Sequence, residues 1–308
     1  MKKVLFVGDI NTDVIMGGLK SQPVPDKEIT CQSFDVCVGS TAVICASAYS
    51  FLGGKAAFAG LAGKDQNGDF MVGQMKKFGI NTKLIERTDK VPTGVTVNLV
   101  FKNIRSQVTY PGTIAAYAGA KLTNKVIKRF RHVHFAGPYQ QTKFISRITG
   151  LLRTASAAGV TTSLDPQWDA SEKWAHMREW LPLLTYLFVN ADETLSITKC
   201  KSLEKACREL VRLTACPIVK AGKDGAILCR SGKLVSAPTI DVKVKDPTGA
   251  GDNFDAAFLY GVIEKGMNTL EAVNFANAAG ARSCMFIGGV EARSTYNDVI
   301  RFMKGHME

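Results

Sequence analysis

The stretch "KDPTGAGDNFDAAF", residues 245–258, decides how this chain of 308 residues is interpreted. Two glycines flank an alanine, an aspartate follows, and small and apolar residues then recur at helical spacing. A glycine turn that opens a helix directs several unpaired N–H groups at one point, and the helix dipole makes that point attractive to anions. Asp252 therefore has two interpretations: it caps the helix, or it works beside a bound anion.

Composition and charge narrow the class of protein. Hydrophobic residues make up 46% and charged residues 21% of the chain, as in soluble globular proteins. We expect no transmembrane helix, because no run of 18 apolar residues occurs, and no signal peptide, because the apolar run in "MKKVLFVGDINTD" is short. Eight cysteines without a C-x-x-C pair favour reduced thiols in a cytoplasmic protein over zinc ligands.

The net charge of +12 fits either solubility or an anionic ligand. The densest basic stretch, "KLTNKVIKRFRHV", lacks the series of interleaved aromatic residues that stack on bases. We therefore predict neither a nucleic-acid partner nor a membrane partner.

Strand and helix patterns alternate along most of the chain. Segments such as "KKVLFVGD" and "CPIVKAG" indicate buried strands, and "STAVICASAYSFLGG" indicates a buried helix that glycines end. Further helices are predicted over about 249–265, 269–286 and 296–304. This alternation implies an α/β fold, a mostly parallel sheet with helices on both faces.

Two segments interrupt the alternation, at about 12–36 and 92–109. Both are predicted to be extended, and in the second Thr96, Asn98 and Val100 alternate with Val95, Val97 and Leu99, which is typical of a sheet with one covered face. We therefore predict a single α/β domain over 1–308 with a small β-sheet lid inserted in it.

Polar residues follow the predicted strands, at the edge where open parallel sheets bind ligands. They are Asp9, Asn11, Asp13, Tyr139, Asp165, Asn190, Glu193 and the Gly222–Gly225 turn. This convergence predicts a site at the carboxyl edge of the sheet.

Several familiar sites are disfavoured. No G-x-x-x-x-G-K-[ST] or G-x-S-x-G occurs, and in "GAGDNF" Phe254 occupies the third glycine position of a dinucleotide-binding fingerprint. His132 and His134 lie on one face of a strand, where a core role is favoured over metal binding. Phosphoryl transfer remains: Gly249, Ala250 and Gly251 would present N–H groups to phosphoryl oxygens, and Asp252 would accept the proton of an attacking hydroxyl.

A family resemblance favours the second interpretation of Asp252. "DPTGAGDNFDAAFLYG" resembles the C-terminal signature of the ribokinase-like, or PfkB, carbohydrate kinases. "VGDINTDVIM", "VGSTAVICASAYSFLGGKAAFAGLAGKDQNGDF", "VNADE", "VKAGKDGAIL" and "FANAAGARSCMFIGG" resemble further family segments in the same order. The resemblance implies a ribokinase-like three-layer α/β/α fold and an ATP-dependent kinase that phosphorylates a hydroxymethyl group of a small sugar or sugar derivative.

The resemblance also implies a role for each matching residue. Asp252 would be the catalytic base, and Gly249, Ala250 and Gly251 the anion hole. The residues implied on the substrate side are Asp13, Asn11, Gly39 and Ser40, and those implied on the ATP side are Asn190, Glu193, Lys220, Gly222, Gly225, Thr248 and Asn277. Mg²⁺ would bind through water near Glu193, as suits its hydration. Many members also bind a monovalent cation such as K⁺, here through the carbonyls of Asp246, Thr248, Ser283, Phe286 and Gly288.

The chain departs from the family pattern in its first long helix. Ser40 replaces a glycine of the family's G-G-x-x-x-N, and Ile44 stands in place of its asparagine. This loss of a polar partner argues against ribose bound in the usual way.

The lid segment offers further candidate residues. Arg105 and Tyr110 are predicted to reach the substrate from the lid, or to be ordinary strand residues. Tyr139 is predicted to line the substrate side. An arginine there would suit an acidic or phosphorylated sugar.

Two alternatives stay open. A nucleoside kinase of the same family would need an apolar slot for the base, to which Ile44 or Phe101 could contribute. A non-catalytic sugar or nucleotide sensor is the alternative of another class, although a sensor has no need of Asp252. The exposed edges of the lid predict a homodimer formed through it.

Overall fold

The computed structural model describes residues 3–102, 104–230 and 233–306. Within these ranges the strands are β1 (Val4–Val7), β2 (Asn11–Gly17), β3 (Ser33–Val38), β4 (Ala56–Ala59), β5 (Leu61–Gly63), β6 (Glu86–Thr88), β7 (Gly94–Phe101), β8 (Ile104–Tyr110), β9 (His132–Ala136), β10 (Thr161–Asp165), β11 (Tyr186–Asn190), β12 (Pro217–Lys220), β13 (Ala226–Arg230) and β14 (Lys233–Ala237).

The α-helices of the same ranges are α1 (Thr41–Phe51), α2 (Gln66–Lys77), α3 (Thr113–Ala116), α4 (Asn124–Ile127), α5 (Ile148–Ala157), α6 (Met177–Trp180), α7 (Ala191–Thr198), α8 (Leu203–Leu213), α9 (Ala250–Glu264), α10 (Thr269–Ser283) and α11 (Tyr296–Lys304). Short 3₁₀ turns lie at Pro138–Gln140, Ile145–Arg147, Leu181–Leu183 and Gly222–Asp224.

The central sheet has eight strands in the order β14-β13-β12-β11-β10-β9-β1-β4. Its strands are parallel from β4 to β12, and β13 and β14 extend it as antiparallel neighbours. All four residues of β1, "VLFV", are buried, as expected for a parallel strand covered on both faces. The sequence prediction of a mostly parallel α/β fold is confirmed.

Helices cover both faces of this sheet with separate apolar cores. One core joins Phe6 of β1 to Tyr49 of α1 and Phe258 of α9. The other joins Phe135 of β9 to Leu152 of α5. Helix α1 is nearly apolar all round because it lies between the sheet and α9, where both of its sides are buried.

A second sheet of four strands has the order β3-β2-β7-β8. Strands β2 and β7 pair in parallel, and the outer pairs are antiparallel. It is built from the two segments that interrupt the alternation in the sequence. A third, two-stranded sheet joins β5 and β6.

The helix predicted over 269–286 is shorter in the structure and ends at Ser283. The carbonyl of Cys284 accepts hydrogen bonds from the N–H groups of Lys245 and Asp246, at 2.8 and 3.2 Å. These bonds tie the end of α10 to the segment before α9, so the chain turns where a longer helix would have continued.

Among the described residues, no helix combines the length and the apolar character that crossing a bilayer requires. Seven of the eight cysteines have described side chains, and these seven are free thiols, of which Cys45 and Cys207 are buried.

Candidate active site

The carboxyl edge of the central sheet gathers acidic residues around the start of α9. Asp9 follows β1, Asp165 ends β10, and Asp252 lies in the first turn of α9. The negative charges of Asp165 and Asp9 both raise the pKa of Asp252, which requires the three carboxyls to be near one another. The site predicted at this edge is therefore a physical cluster of charged groups.

The glycine turn before α9 has no side chain that caps its N–H groups. Gly249 is the N-cap in a left-handed conformation, with φ of 75°, and the N–H of Ala250 donates to the carbonyl of Pro247 at 3.2 Å. The N–H groups of a first helical turn have no intrahelical acceptors, so this turn suits an anionic ligand. The side-chain amide of Asn253 holds the turn by donating to the carbonyls of Gly249 and Gly289, at 2.8 and 2.9 Å.

Asp252 does not act as the N-cap, because Gly249 holds that position. Only 8% of Asp252 is exposed. Burial raises its pKa well above the usual range of an aspartate, and the charge of Asp165 adds to this, while Lys220 opposes it. A carboxylate with a raised pKa is a stronger proton acceptor, so its position and environment suit a general base.

Lys220, the last residue of β12, is held by two acids. Its Nζ lies 2.8 Å from Oδ2 of Asp165 and 3.2 Å from Oδ1 of Asp255. A Cβ added at Gly251 would lie 3.2 Å from this Nζ. The ammonium therefore borders the glycine turn and does not point to solvent.

Asn11 organises the substrate side that the sequence predicts. Its Nδ2 donates to Oδ1 of Asp13 and to Oγ1 of Thr96, each at 3.0 Å. A side chain at Gly39 would collide with Asp13 and lie 2.8 Å from Nδ2 of Asn11. The structure thus brings Asn11, Asp13 and Gly39 together, with Thr96 of β7 as a further polar neighbour.

Ser40 and Ile44 have roles that the sequence did not reveal. Ser40 caps α1, and its hydroxyl donates to Oδ1 of Asp9 at 3.0 Å. Burial raises the pKa of Asp9 to about 6, against the effect of this hydrogen bond. Ile44 is 4% exposed, and Cβ atoms built on Gly249 and Gly289 would lie 3.1 and 2.6 Å from its side chain. Ile44 therefore supports the glycine turn by packing against it.

The structure gives the positions of two aromatic residues predicted on the substrate side. Tyr110 is 50% exposed, and its neighbour Thr109 bonds to Thr96 on the side of Asn11. Successive residues of a strand point to opposite faces, so of the two alternatives for Tyr110 the structure favours an ordinary strand residue on the outer face of the second sheet. The hydroxyl of Tyr139 donates to the carbonyl of Ala175 at 3.1 Å. The side chain of Arg105 lies outside the described residues.

Asn190 and Glu193 form a reciprocal capping box at the start of α7. The side chain of Asn190 accepts from the N–H of Glu193 at 2.8 Å, and the carboxylate of Glu193 accepts from the N–H of Asn190 at 2.9 Å. Burial and the charge of Asp165 raise the pKa of Glu193 to about 7. Asn190 and Glu193 thus have a local structural role, and the effect of Asp165 places Glu193 near the charged cluster.

The other residues predicted on the nucleotide side shape the loops beyond β12. Gly222 and Gly225 have φ of 58° and 86°, and a side chain at Gly225 would collide with the carbonyl of Ala237. The side-chain amide of Asn277 donates to that same carbonyl at 2.8 Å. Both contacts fix the end of β14 against the turn and α10.

The residues predicted to supply carbonyls to a monovalent cation are joined by Asp246. Its Oδ1 accepts from the N–H of Thr248 and its Oδ2 from the N–H of Gly288, each at 2.9 Å. The hydroxyl of Ser283 donates to the carbonyl of Gly280, and the ring of Phe286 contacts the guanidinium of Arg282. Asp246 thereby brings the 246–248 and 286–288 segments together.

No group of three or more His, Cys, Asp or Glu side chains in the described ranges is arranged to hold a metal ion. His132 and His134 are both buried, and both contact the hydroxyl of Ser163 at 2.7 Å. This agrees with the core role that the sequence favours for these histidines.

Asp255 and Thr96 were missed as site residues. Asp255 follows Asp252 by three residues, so a carboxylate on the buried face of α9 was an available signal. Asp165 was recognised only as a residue that follows a strand. Its pairing with Lys220 joins residues 55 positions apart in the chain, a distance over which local patterns carry no information.

Comparison with protein families matches residues 1–291 to the pfkB family carbohydrate kinases. An ATP-dependent ribose-1-phosphate kinase from Halopiger xanaduensis is 28% identical over 283 residues, which covers 91% of each chain. The bifunctional protein HldE from Helicobacter pylori strain Shi470 is 26% identical over 91% of this chain, which spans 62% of the length of that relative.

Solved structures show the same fold. Arabidopsis thaliana ribokinase, solved in complex with ribose and ATP, superposes with a TM-score of 0.85 at 20% identity and covers 98% of this chain and 99% of its own. The family match spans all the site residues described above. The chain therefore belongs to the PfkB family of carbohydrate kinases, enzymes that transfer a phosphoryl group to a sugar.

Proposed function

We propose that this kinase transfers the γ-phosphoryl group of ATP to a hydroxymethyl group of a small sugar or sugar derivative. Asp252 is the general base, and the N–H groups of Gly249, Ala250 and Gly251 form the anion hole. The observation that carries this proposal is a buried carboxylate with a raised pKa in the first turn of a helix that no side chain caps. The hydroxyl oxygen forms a bond to phosphorus, the bond from phosphorus to the β-phosphate oxygen breaks, and the hydroxyl proton passes to Asp252.

On the substrate side, Asp13 and Asn11 bind sugar hydroxyls above Gly39. The contact of Asn11 with Thr96 supports a contribution of β7 to the same pocket. A phosphorylated sugar is the derivative we favour, because one relative is a ribose-1-phosphate kinase and the net charge of this chain is +12. Ile44 packs against Gly249 and Gly289, so a base slot built on Ile44 is disfavoured and a nucleoside kinase is the weaker alternative.

On the nucleotide side, Asn190, Glu193, Lys220, Gly222, Gly225, Thr248 and Asn277 border ATP. Glu193 offers a buried carboxylate to the water shell of Mg²⁺, a metal that keeps several waters when it binds. The bonds of Asp246 to Thr248 and Gly288 align two segments whose carbonyls, with those of Ser283 and Phe286, would suit K⁺. Both cations would supply positive charge near the phosphates when bound.

The second sheet acts as a lid on one domain of residues 1–308, and its outer face forms a homodimer. Five large apolar residues that are 44–65% exposed lie on this face: Phe34, Val36, Ile104, Val108 and Tyr110. The register places them together, because Val14 pairs with Val36 and Val97, and Val97 with Val108. An apolar sheet face of this kind is a typical interaction surface.

The test is ADP release with Mg-ATP, with and without potassium, across ribose, fructose, ribose 1-phosphate, sugar acids and nucleosides. We expect turnover on one class, and Asp252→Asn should reduce it by about 10²-fold or more while ATP still binds. Near-normal turnover of Asp252→Asn would contradict its role as the base. ATP binding without ADP release on any compound would favour the sensor.

A further inference from the structure

Lys220 is a buried cation held by two acids that the sequence does not connect. Its side chain is 16% exposed, and the side chains of Asp165 and Asp255 are 6% and 1% exposed. Removing three such groups from water costs free energy that their mutual attraction does not always return. A buried network of this kind is therefore weak evidence for stability alone, and its location calls for another explanation.

The network lies against the proposed anion hole. Nζ of Lys220 would be 3.2 Å from a Cβ at Gly251, and Asp255 lies one helical turn beyond Asp252. Lys220 also opposes the rise in the pKa of Asp252. The ammonium is thus beside the N–H groups and the carboxylate that we assign to phosphoryl transfer.

The ammonium keeps one donor for a ligand. A lysine ammonium has three N–H donors, and in the described part of the chain the acceptors of Lys220 are the carboxylates of Asp165 and Asp255. The two oxygens of Asp255 lie at nearly equal distances from Nζ, 3.2 and 3.3 Å, so one N–H can serve both of them and another can face a ligand. The two acids therefore fix the direction of the remaining N–H, as positioned donors of an active site require.

The pKa values of the two acids are shifted in opposite directions. The neighbouring ammonium of Lys220 lowers the pKa of Asp165, although burial acts to raise it. Burial raises the pKa of Asp255 well above its usual range, against the effect of Lys220. Asp165, which also makes the shorter contact with Nζ at 2.8 Å, is therefore the main counter-charge of the ammonium.

We propose that Lys220 is a catalytic residue whose ammonium binds the γ-phosphoryl group beside Gly251, with Asp165 and Asp255 as the positioning residues that hold it there. This inference rests on the proposed phosphoryl transfer and names a donor beyond the glycine turn. Lys220 keeps all its protons during the reaction, and the substrate proton goes to Asp252. Its charge offsets the negative charge on the oxygens of the transferred group.

The test measures affinity for the γ-phosphate and needs no sugar. Mg-AMPPNP and Mg-ADP are titrated calorimetrically into the wild-type protein, Lys220→Met and Lys220→Arg. We expect Lys220→Met to weaken Mg-AMPPNP binding at least tenfold and Mg-ADP binding less than twofold, and Lys220→Arg to retain part of the difference. Equal losses for both nucleotides, or no loss for either, would overturn the proposal.

Matched variants separate this role from folding and from the proposed base. The double variant Lys220→Met/Asp165→Asn removes both charges, so it serves if the single variant does not fold, and it should show the same selective loss. Asp165→Asn should weaken Mg-AMPPNP binding more than Asp255→Asn, because Asp165 makes the shorter contact with Nζ, 2.8 Å against 3.2 Å. The reverse order would contradict the positioning roles. The nucleotide titrations contain no sugar and measure no turnover, whereas the ADP-release panel with Asp252→Asn tests the kinase proposal, so failure of the kinase proposal and failure of the Lys220 proposal are distinguishable.

Discussion

The carboxyl edge of the central sheet buries charged side chains, whereas the outer face of the second sheet exposes apolar ones. At the edge, Asp165, Asp252 and Asp255 are at most 8% exposed, and burial shifts their pKa values. On the outer face of the second sheet, Phe34 and Val108 are 62% and 65% exposed. One region buries charge that water would stabilise, and the other exposes apolar area that water disfavours.

Each departure from ordinary burial has a different consequence. Burying a charged group costs free energy, and shifted pKa values are concentrated at functional sites. Exposed apolar area is reduced only when another surface covers it. The comparison therefore supports the proposed chemistry at the edge of the central sheet and the proposed assembly through the outer face of the second sheet. Three changes test these proposals in order of expected effect.

The largest effect is expected from Gly249→Ala in the glycine turn. A Cβ at this position would lie 2.7 Å from Cα of Gly289 and 3.1 Å from Cγ2 of Ile44, at φ of 75°. Moving the turn away from these atoms misaligns the N–H donors, and the loss of one such donor lowers turnover by about 10²–10³-fold. The measurement is kcat for the sugar accepted in the ADP-release panel.

Gly266→Ala is the matched control for Gly249→Ala. Gly266 has φ of 65°, but nothing lies within 4 Å of the Cβ that alanine would add. Both variants carry the same type of backbone strain, of about 1–3 kcal/mol, and only Gly249→Ala meets the packed turn. Equal kcat values for the two variants would show that the turn does not depend on this close packing.

The sequence predicted the edge of the central sheet in outline and the second sheet less completely. The run at 245–258 and the alternation of strands and helices are local patterns, so the fold and the glycine turn followed from them. The ion pairs of Lys220 with Asp165 and Asp255 depend on which strands become neighbours, 55 and 35 residues away along the chain. Local patterns do not determine that.

Tyr110 shows the same limit in the second sheet. Its pairing with Val95 sets the face on which it lies, and a shift of one residue would have turned it to the side of Asn11. The two lid strands are predicted from composition, but their register comes from the packed structure. The sequence therefore left both positions of Tyr110 open because it does not give the register.

An intermediate effect is expected from His134→Gln, which tests burial of titratable groups in the central sheet. Burial lowers the pKa of His134 from 6.5 to about 4, with Asp165 raising it and Lys220 lowering it further. The unfolded chain takes up a proton near pH 6.5 and the folded protein does not, so stability falls as the pH drops from 6.5 towards 4. This histidine contributes about 3 kcal/mol to that fall.

The measurement for His134→Gln is urea unfolding at several pH values between 7 and 4, followed by tryptophan fluorescence. The variant should lose less stability than the wild type over this range. The dependence should be reduced and not abolished, because burial also lowers the pKa of His132, which remains. Asp9, Glu193 and Asp252 act in the opposite direction but are common to both proteins. Parallel pH dependences would show that His134 does not resist protonation.

The smallest effect is expected from Val108→Lys on the outer face of the second sheet. Val108 is 65% exposed, so a lysine there is solvated in the free protomer and costs little folding free energy. In a homodimer through this face each protomer would bury the new charge, which we expect to weaken association at least tenfold, or about 1.4 kcal/mol. Sedimentation velocity over a range of protein concentrations measures this change.

Val244→Lys is the control for Val108→Lys, because it makes the same substitution at a residue that is 57% exposed outside the second sheet. It should leave the dissociation constant of the dimer unchanged. If both variants weaken association equally, the net charge of the protein governs association, and the outer face of the second sheet does not.

If the wild type sediments as a monomer at every concentration, the apolar face does not bind a second copy of this chain. The contrast between the two regions would then hold for burial but not for assembly.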